Sequence, residues 1–331
     1  MKSYFFLAAA AAVACLTSCN KDVIQTNHEQ MGETAEITVR LPPLATKAAS
    51  SLTDTEATVK SLQVYVFNAN GTKLESYARS NSSEVSINVA LGEKTIAAVV
   101  NSADIVDVTN LAALKAKVSP LEANSTEDGF VMFGETKKIV SANERVTIDV
   151  TRLVSRVVIS KITNGIDIPQ YAGQDLKVKG IYLVNAVGKT NLGSTYTPVA
   201  GDFLNQFELK DGQTALLGGR FTPVSIAKSA SYTQEKRMYC CPNPVATDSQ
   251  STTWSMRFTR LVVEVEFAGE TLYYPITFDK KLAAGSSYEI EELKITRPGS
   301  TRPDDPLVIG SVTYTVKVNP WELSSMGTVT I

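Results

Sequence analysis

Histidine, cysteine and paired carboxylates are the side chains best suited to catalysis or metal binding, and here each is scarce or awkwardly placed. His28 is the only imidazole among 331 residues. A Ser-His-Asp or Cys-His triad would have to use that one residue, and a multi-histidine metal site is excluded. Of the four cysteines, Cys240 and Cys241 are adjacent. Neighbours can close only a tight, strained ring, so a stabilising long-loop disulfide is not available to them. They read as two free thiols, one facing inward and one outward, with no redox function. Glu291-Glu292 and Asp304-Asp305 could supply a carboxylate dyad, which needs no histidine. Neighbours on a strand point to opposite faces, however, and the second pair lies between prolines in Arg302-Pro303-Asp304-Asp305-Pro306. Both pairs read as solvated charge. No oxygen-ligand loop for calcium accompanies them, and no glycine loop cradles a phosphate. The residues predict no enzyme, no metal and no cofactor.

The other cysteines belong to the start of the chain. An alanine-rich apolar run from Tyr4 to Leu16, containing Cys15, is too short to span a bilayer of about 30 Å but suits the core of an export signal. It ends in Leu16-Thr17-Ser18-Cys19, which resembles the bacterial lipobox. That resemblance implies a signal peptide over residues 1–18, lipid on Cys19, and an outer-membrane anchor made of lipid alone. No other apolar stretch reads as a membrane crossing. Lysine and arginine total 32 against 34 acidic residues, a balance that leaves no basic footprint for nucleic acid.

The elements read as β throughout. Asn20 to Glu33 is a polar tether. In Glu36-Ile37-Thr38-Val39-Arg40-Leu41 the apolar residues Ile37, Val39 and Leu41 share one face, the two-residue period of a half-buried strand, and Pro42-Pro43 ends it. Lys47 follows in a stretch of small residues. Further strands are expected at Leu62–Phe67, Val85–Leu91, Thr95–Val100, Val146–Val150, Leu153–Ile159, Val178–Asn185, Val262–Phe267, Thr271–Phe278 and Tyr288–Thr296. Helical spacing is convincing only over Val108–Val118. Many short strands in a chain of this length predict an all-β protein with two antiparallel β-sandwiches in tandem, transthyretin-like or immunoglobulin-like, and few short helices. The boundary is placed near residue 150. The longest clean alternation comes last, with Val312, Tyr314, Val316 and Val318 on one face of a strand over 308–318 behind the proline-flanked segment.

Four features together resemble the fimbrillins, the subunits of Bacteroidales type V pili. They are the lipobox at Cys19; the early strand followed by a basic residue and Ala48; Thr151-Arg152-Leu153-Val154-Ser155-Arg156-Val157; and the C-terminal strand region with Pro320-Trp321. Tyr288-Glu289-Ile290 through Ile295-Thr296-Arg297-Pro298-Gly299 also resembles the stretch before that family's C-terminal strands. The resemblance implies a lipoprotein precursor whose propeptide, residues 19–47, contains a removable first strand (Ile37, Val39, Leu41). A trypsin-like Arg/Lys-specific protease would cut at Lys47-Ala48, with Arg40 as the alternative site. Loss of the strand would open a groove in the N-terminal sandwich, 48–150. A donor strand at about 308–331, ending the C-terminal sandwich (151–331) of the next subunit, would fill it. The donor residues would be Val312, Tyr314, Val316 and Val318, each worth about 1.5–3 kcal/mol when fully buried. The implied partners are other copies head-to-tail, with tip and anchor subunits, and the implied role is adhesion and biofilm formation at the cell surface. The alternatives are an anchor or tip accessory subunit, or a surface lipoprotein that stacks glycans on Trp254, Trp321, Tyr273 and Tyr274.

Overall fold

The computed structural model describes residues 33–42, 54–278, 282–305 and 312–321. Valine, isoleucine and threonine dominate the first segments, and their alternation makes strands β1 (Thr34–Arg40), β2 (Leu62–Asn68), β3 (Leu74–Ser80), β4 (Glu84–Ala90) and β5 (Gly92–Val100). A short helix α1 (Leu111–Lys115) follows, then β6 (Val118–Pro120), β7 (Met132–Val140), β8 (Glu144–Thr147) and β9 (Thr151–Arg152). All of these strands but β6 form a sandwich from a three-stranded sheet ordered β4-β1-β8 and a five-stranded sheet ordered β3-β2-β5-β7-β9. Ile37, Val39 and Leu41 of the first sheet's side pack with Leu62, Val64, Val66, Ile96 and Met132 of the second in one core. Because α1 covers the second sheet's far face, β2 is buried on both faces; Tyr65 and Phe67 pack there with Leu114.

The helix is shorter than its periodicity predicts. Asn110 caps it by accepting a hydrogen bond from the Ala113 amide (2.8 Å), which fixes the start. Its far end turns out into β6, where Val118 pairs with Asn191 instead of continuing the helical face.

The second sandwich is built from β10 (Ser155–Ile159), β11 (Ile162–Asn164), β12 (Leu176–Val184), β13 (Ala186–Val187), β14 (Lys189–Asn191), β15 (Phe203–Leu204), β16 (Gly218–Ile226) and β17 (Ser231–Tyr232). It continues through β18 (Lys236–Cys240), β19 (Arg260–Phe267), β20 (Glu270–Thr277), β21 (Ser286–Ile290), β22 (Leu293–Ile295), β23 (Val312–Thr313) and β24 (Val316–Pro320). One layer is antiparallel, β16-β12-β19-β20. The other is ordered β18-β10-β21-β24 and, past a kink, β17-β11-β22-β23. Most pairings are antiparallel. The parallel ones, β1 with β8, β10 with β21 and β11 with β22, join strands far apart in sequence, which no hairpin constrains.

The kink breaks the long C-terminal alternation. Glu291 and Glu292 separate β21 from β22, and the strand alongside must bend at Tyr314-Thr315 to follow them. The single expected strand is therefore two short ones.

Burial pushes the phenols of Tyr65, Tyr182, Tyr239 and Tyr274 well above their ordinary value, and Tyr182 also donates to Glu264 (2.9 Å). An acid whose folded pKa is raised gives stability that is whole below the unfolded pKa of about 10 and is lost as pH rises through the folded one. Denaturant midpoints should therefore fall steeply above about pH 10, by up to about 1.4 kcal/mol per pH unit for each such phenol. Tyrosinate absorbance should appear together with unfolding. Ionisation of these tyrosines in a still-folded chain would contradict this.

Candidate functional site

The first strand is held as a central strand. β1 pairs antiparallel with β4, Thr34 opposite Ala90 through Arg40 opposite Glu84, and parallel with β8, Ile37 opposite Glu144 through Arg40 opposite Thr147. Its flanks are secured by Leu91 N to the Glu33 carbonyl, Leu41 N to the Ser83 carbonyl and Ile148 N to the Arg40 carbonyl, each 3.0 Å. Ala35, Ile37, Val39 and Leu41 are only 0–4% exposed. The outer face is polar and lightly tied: Glu36 N donates to Asn143 Oδ1 (2.8 Å), and Arg40 Nε donates to Thr147 Oγ1 (3.2 Å). Taking this strand away would leave an apolar trough with two unpaired backbone edges, both costly to leave in water.

At the other end of the chain the fit is looser. β24 pairs with β21, and β23 with β22, each at the end of its sheet order. Val312 and Val316 are partly buried against the core, whereas Tyr314 and Val318 are 38% and 44% exposed. An apolar row with the same two-residue period as β1 thus lies on an edge with half its side chains in solvent.

Arg40, the alternative cleavage residue, is exposed, but its backbone is engaged on both sides in mid-sheet, where a protease cannot draw the chain out. Cys19, Lys47, Ala48 and His28 lie outside the described residues.

Beyond β24 the chain ends its described course in a buried polar node. Trp321 is 2% exposed. The Arg152 guanidinium lies 4.4 Å from its ring centroid and that of Arg156 5.1 Å, and Phe130 and Tyr239 pack against the indole at 5.0 and 5.6 Å. Arg152 donates to the Trp321 carbonyl and to the Glu56 carbonyl, both at 2.7 Å. The Glu56 carboxylate, 0% exposed, accepts from Arg156 Nη1 (3.0 Å), Tyr239 Oη (2.6 Å) and Arg237 Nη1 (3.4 Å). Burial pulls Arg152 down to about 10, against the opposing attraction of Glu56.

A second buried cluster precedes the C-terminal strands. Asp304 accepts from Asn185 Nδ2 (2.6 Å), Arg257 Nη1 (2.6 Å) and Arg260 Nη1 (2.8 Å). Asp304 is therefore a buried ion-pair partner, not the solvated linker charge its proline neighbours suggest. Glu291 is solvated as expected and pairs with Lys317.

The adjacent cysteines depart from the alternating pattern: both are buried, because the chain leaves β18 at Cys240 and turns into a bridge between Cys241 and Val187. Burial pushes the Cys240 thiol up to about 12, so it carries no reactive thiolate at neutral pH. The four aromatics proposed for glycan stacking form no exposed platform. Trp321 and Tyr274 are buried, and Trp254 packs edge-on against Phe203 and Phe207. Among the described residues, no helix is long and apolar enough to cross a membrane, and no group of acidic, cysteine or histidine side chains is gathered for a metal.

Comparison with known proteins gives this arrangement a context. The sequence profile described as Major fimbrial subunit protein (FimA) matches residues 35–203. No curated protein sequence matches the chain. Among solved structures, a proposed cell adhesion protein from Parabacteroides distasonis is 16% identical with a TM-score of 0.61, covering 88% of this chain and 100% of its own. A fimbrilin from Porphyromonas gingivalis is 15% identical with a TM-score of 0.59, covering 88% and 99%. The tip fimbrial protein Mfa3 from the same organism, with a C-terminal truncation, is 12% identical with a TM-score of 0.50, covering 87% and 100%. At these identities the structures establish a shared fold.

Proposed function

This chain belongs to the FimA major fimbrial subunit family, a family of structural subunits of cell-surface fimbriae rather than enzymes, and from that premise we propose that it is a stalk subunit that polymerises by proteolytically triggered strand exchange. The precursor is exported, lipidated at Cys19 and carried to the outer membrane. An Arg/Lys-specific protease cuts at Lys47-Ala48, and β1 leaves with the propeptide. The C-terminal segment of the next subunit, presenting Val312, Tyr314, Val316 and Val318, takes its place between β4 and β8. Acceptor and donor belong to separate sandwiches divided near residue 150. Because groove and donor are different surfaces, the contact is head-to-tail and propagates as an open filament, with tip and anchor subunits at its ends. Adhesion and biofilm formation are the role of the assembled filament.

The observation that carries this reading is a contrast. The first strand sits in mid-sheet with its apolar face buried, while an apolar row of equal period lies half-exposed at the edge of the other sandwich. The trough left by β1 would cost several kcal/mol in exposed apolar area and unpaired backbone, and an incoming strand relieves both.

The test uses protein starting at Asn20, treated briefly with trypsin. The expected result is a new N-terminus at Ala48 and a ladder of oligomers on an unboiled denaturing gel. Cutting at Lys47 without a ladder would move the chain to an accessory role. Resistance at Lys47 would overturn the stalk reading in favour of an anchor that keeps its first strand.

A further inference from the structure

We propose that the node of Glu56, Arg152, Arg156 and Trp321 is a latch that keeps the C-terminal segment docked on its own subunit until β1 has gone. The proposal rests on the strand-exchange reading above and adds to it a control over the donor.

The hold on the C-terminal strands is uneven. β23 and β24 are edge strands with exposed side chains, whereas Trp321 directly after them is nearly inaccessible and ringed by Phe130, Tyr239 and two guanidinium groups. Its amide donates to the Gly285 carbonyl (2.6 Å). Gly285 has φ +65, and a Cβ there would come within 2.3 Å of Thr151, so the backbone seat tolerates only glycine. The segment cannot leave while Trp321 stays.

Two routes hold this seat, and the second of them reaches β1. The first is Glu56, which lies downstream of the proposed cut, in the 3-10 turn Asp54–Ala57. Its carboxylate draws Arg156, Arg237 and Tyr239 together, and its carbonyl holds the same Arg152 that bonds Trp321. The second is β8, whose only strand partner among the described residues is β1. Ile148, just past β8, donates to the Arg40 carbonyl of β1, and Arg152 follows four residues later. When β1 leaves, β8 has no strand beside it, the Ile148 tie is lost, and the stretch carrying Arg152 is left held by the pairing of β9 with β7. A buried guanidinium is stable only while its partners are in place, so loosening either route loosens Trp321. Before the cut, both routes hold and the donor stays home.

In a Trp254→Phe background Trp321 is the only indole, and acrylamide quenching reports its accessibility. Trimming of dilute, still monomeric subunits is expected to raise the quenching constant by about fivefold or more, within the range of coupled sites. Equal quenching before and after the cut would overturn the latch. Donation is then measured into trimmed Val318→Asp subunits, which have an open groove and a disabled donor. Uncut Glu56→Gln precursor is expected to donate about tenfold faster than uncut wild type and to approach trimmed wild type. Uncut wild type donating as fast as trimmed wild type would also overturn the latch, with strand exchange intact. No donation even by trimmed wild type would remove the strand-exchange reading and the latch with it. If Glu56→Gln fails to fold, judged by near-UV circular dichroism, the quenching comparison on unaltered Glu56 decides alone.

Discussion

Replacing Val318 by aspartate should leave the monomer's Tm within about 2 °C of wild type and abolish the oligomer ladder. The two effects separate because the residue occupies different surroundings in the two states. In the monomer Val318 is 44% exposed on an edge strand, where charges are common and a substitution changes stability by about 0.5 kcal/mol or less. In the groove it would take a position like those of β1, whose apolar side chains are at most 4% exposed. The variant there loses about 1.5–3 kcal/mol of burial and adds several kcal/mol for an unpaired buried carboxylate. A total above about 5 kcal/mol weakens each joint by more than about a thousandfold. The substitution is more telling than deletion of the segment. Cutting the chain from Val308 onward also removes Trp321 from its cluster and strips Arg152 of a partner, so the truncated subunit should lose about 3–5 kcal/mol of stability as well. Wild-type ladders from Val318→Asp subunits would eliminate this row as the donor.

Ile37→Asp should have the opposite pattern, injuring the precursor and sparing the product. Ile37 is fully buried between the sheets, in register with Ile87 of β4 and Glu144 of β8. Loss of the side chain costs about 2–5 kcal/mol and the buried carboxylate several more. That sum rivals the whole stability of a typical domain, about 5–15 kcal/mol. The uncut variant should therefore expose its groove, melt well below wild type and form detergent-resistant oligomers with no protease added. After trimming, filaments from variant and wild type should be indistinguishable, since the altered residue has left with the propeptide. A precursor as stable as wild type would contradict the seating of β1. A destabilised one that stays monomeric even after trypsin would remove the groove as acceptor.

Much of this was readable from local pattern. Thr34–Arg40 alternates strictly, and its apolar residues are the buried ones. The short strands of both sandwiches likewise lie where β-branched runs meet turn residues. What could not be read depends on distant partners. The break at Tyr314-Thr315 is imposed by the kink at Glu291-Glu292, which nothing in the alternation itself signals. Glu56 sits in an unremarkable polar stretch, and its burial depends on an arginine one hundred residues away. A clue was present in Arg152 and Arg156. Charged residues inside an otherwise apolar strand need buried partners, and the sequence Thr151–Val157 marks the half of the node that can be seen without a structure. Cys240 and Cys241 break the alternation rule because the strand ends between them.

The position of β1 also fixes a number. Strands in a sheet lie about 4.8 Å apart, so a sheet that loses its middle member keeps a slot about 9.6 Å wide between the two that remain. In the order β4-β1-β8 that slot admits one strand. On the strand-exchange proposal each trimmed subunit would have a valence of one on its acceptor side and one on its donor side. Units of that kind grow into unbranched chains with two unlike ends. A subunit that keeps β1 stops growth at one end, and a subunit without a free C-terminal strand stops it at the other. With joints tight enough not to reopen, the strand-exchange proposal would then have filament length set by the ratio of such terminators to trimmed subunits.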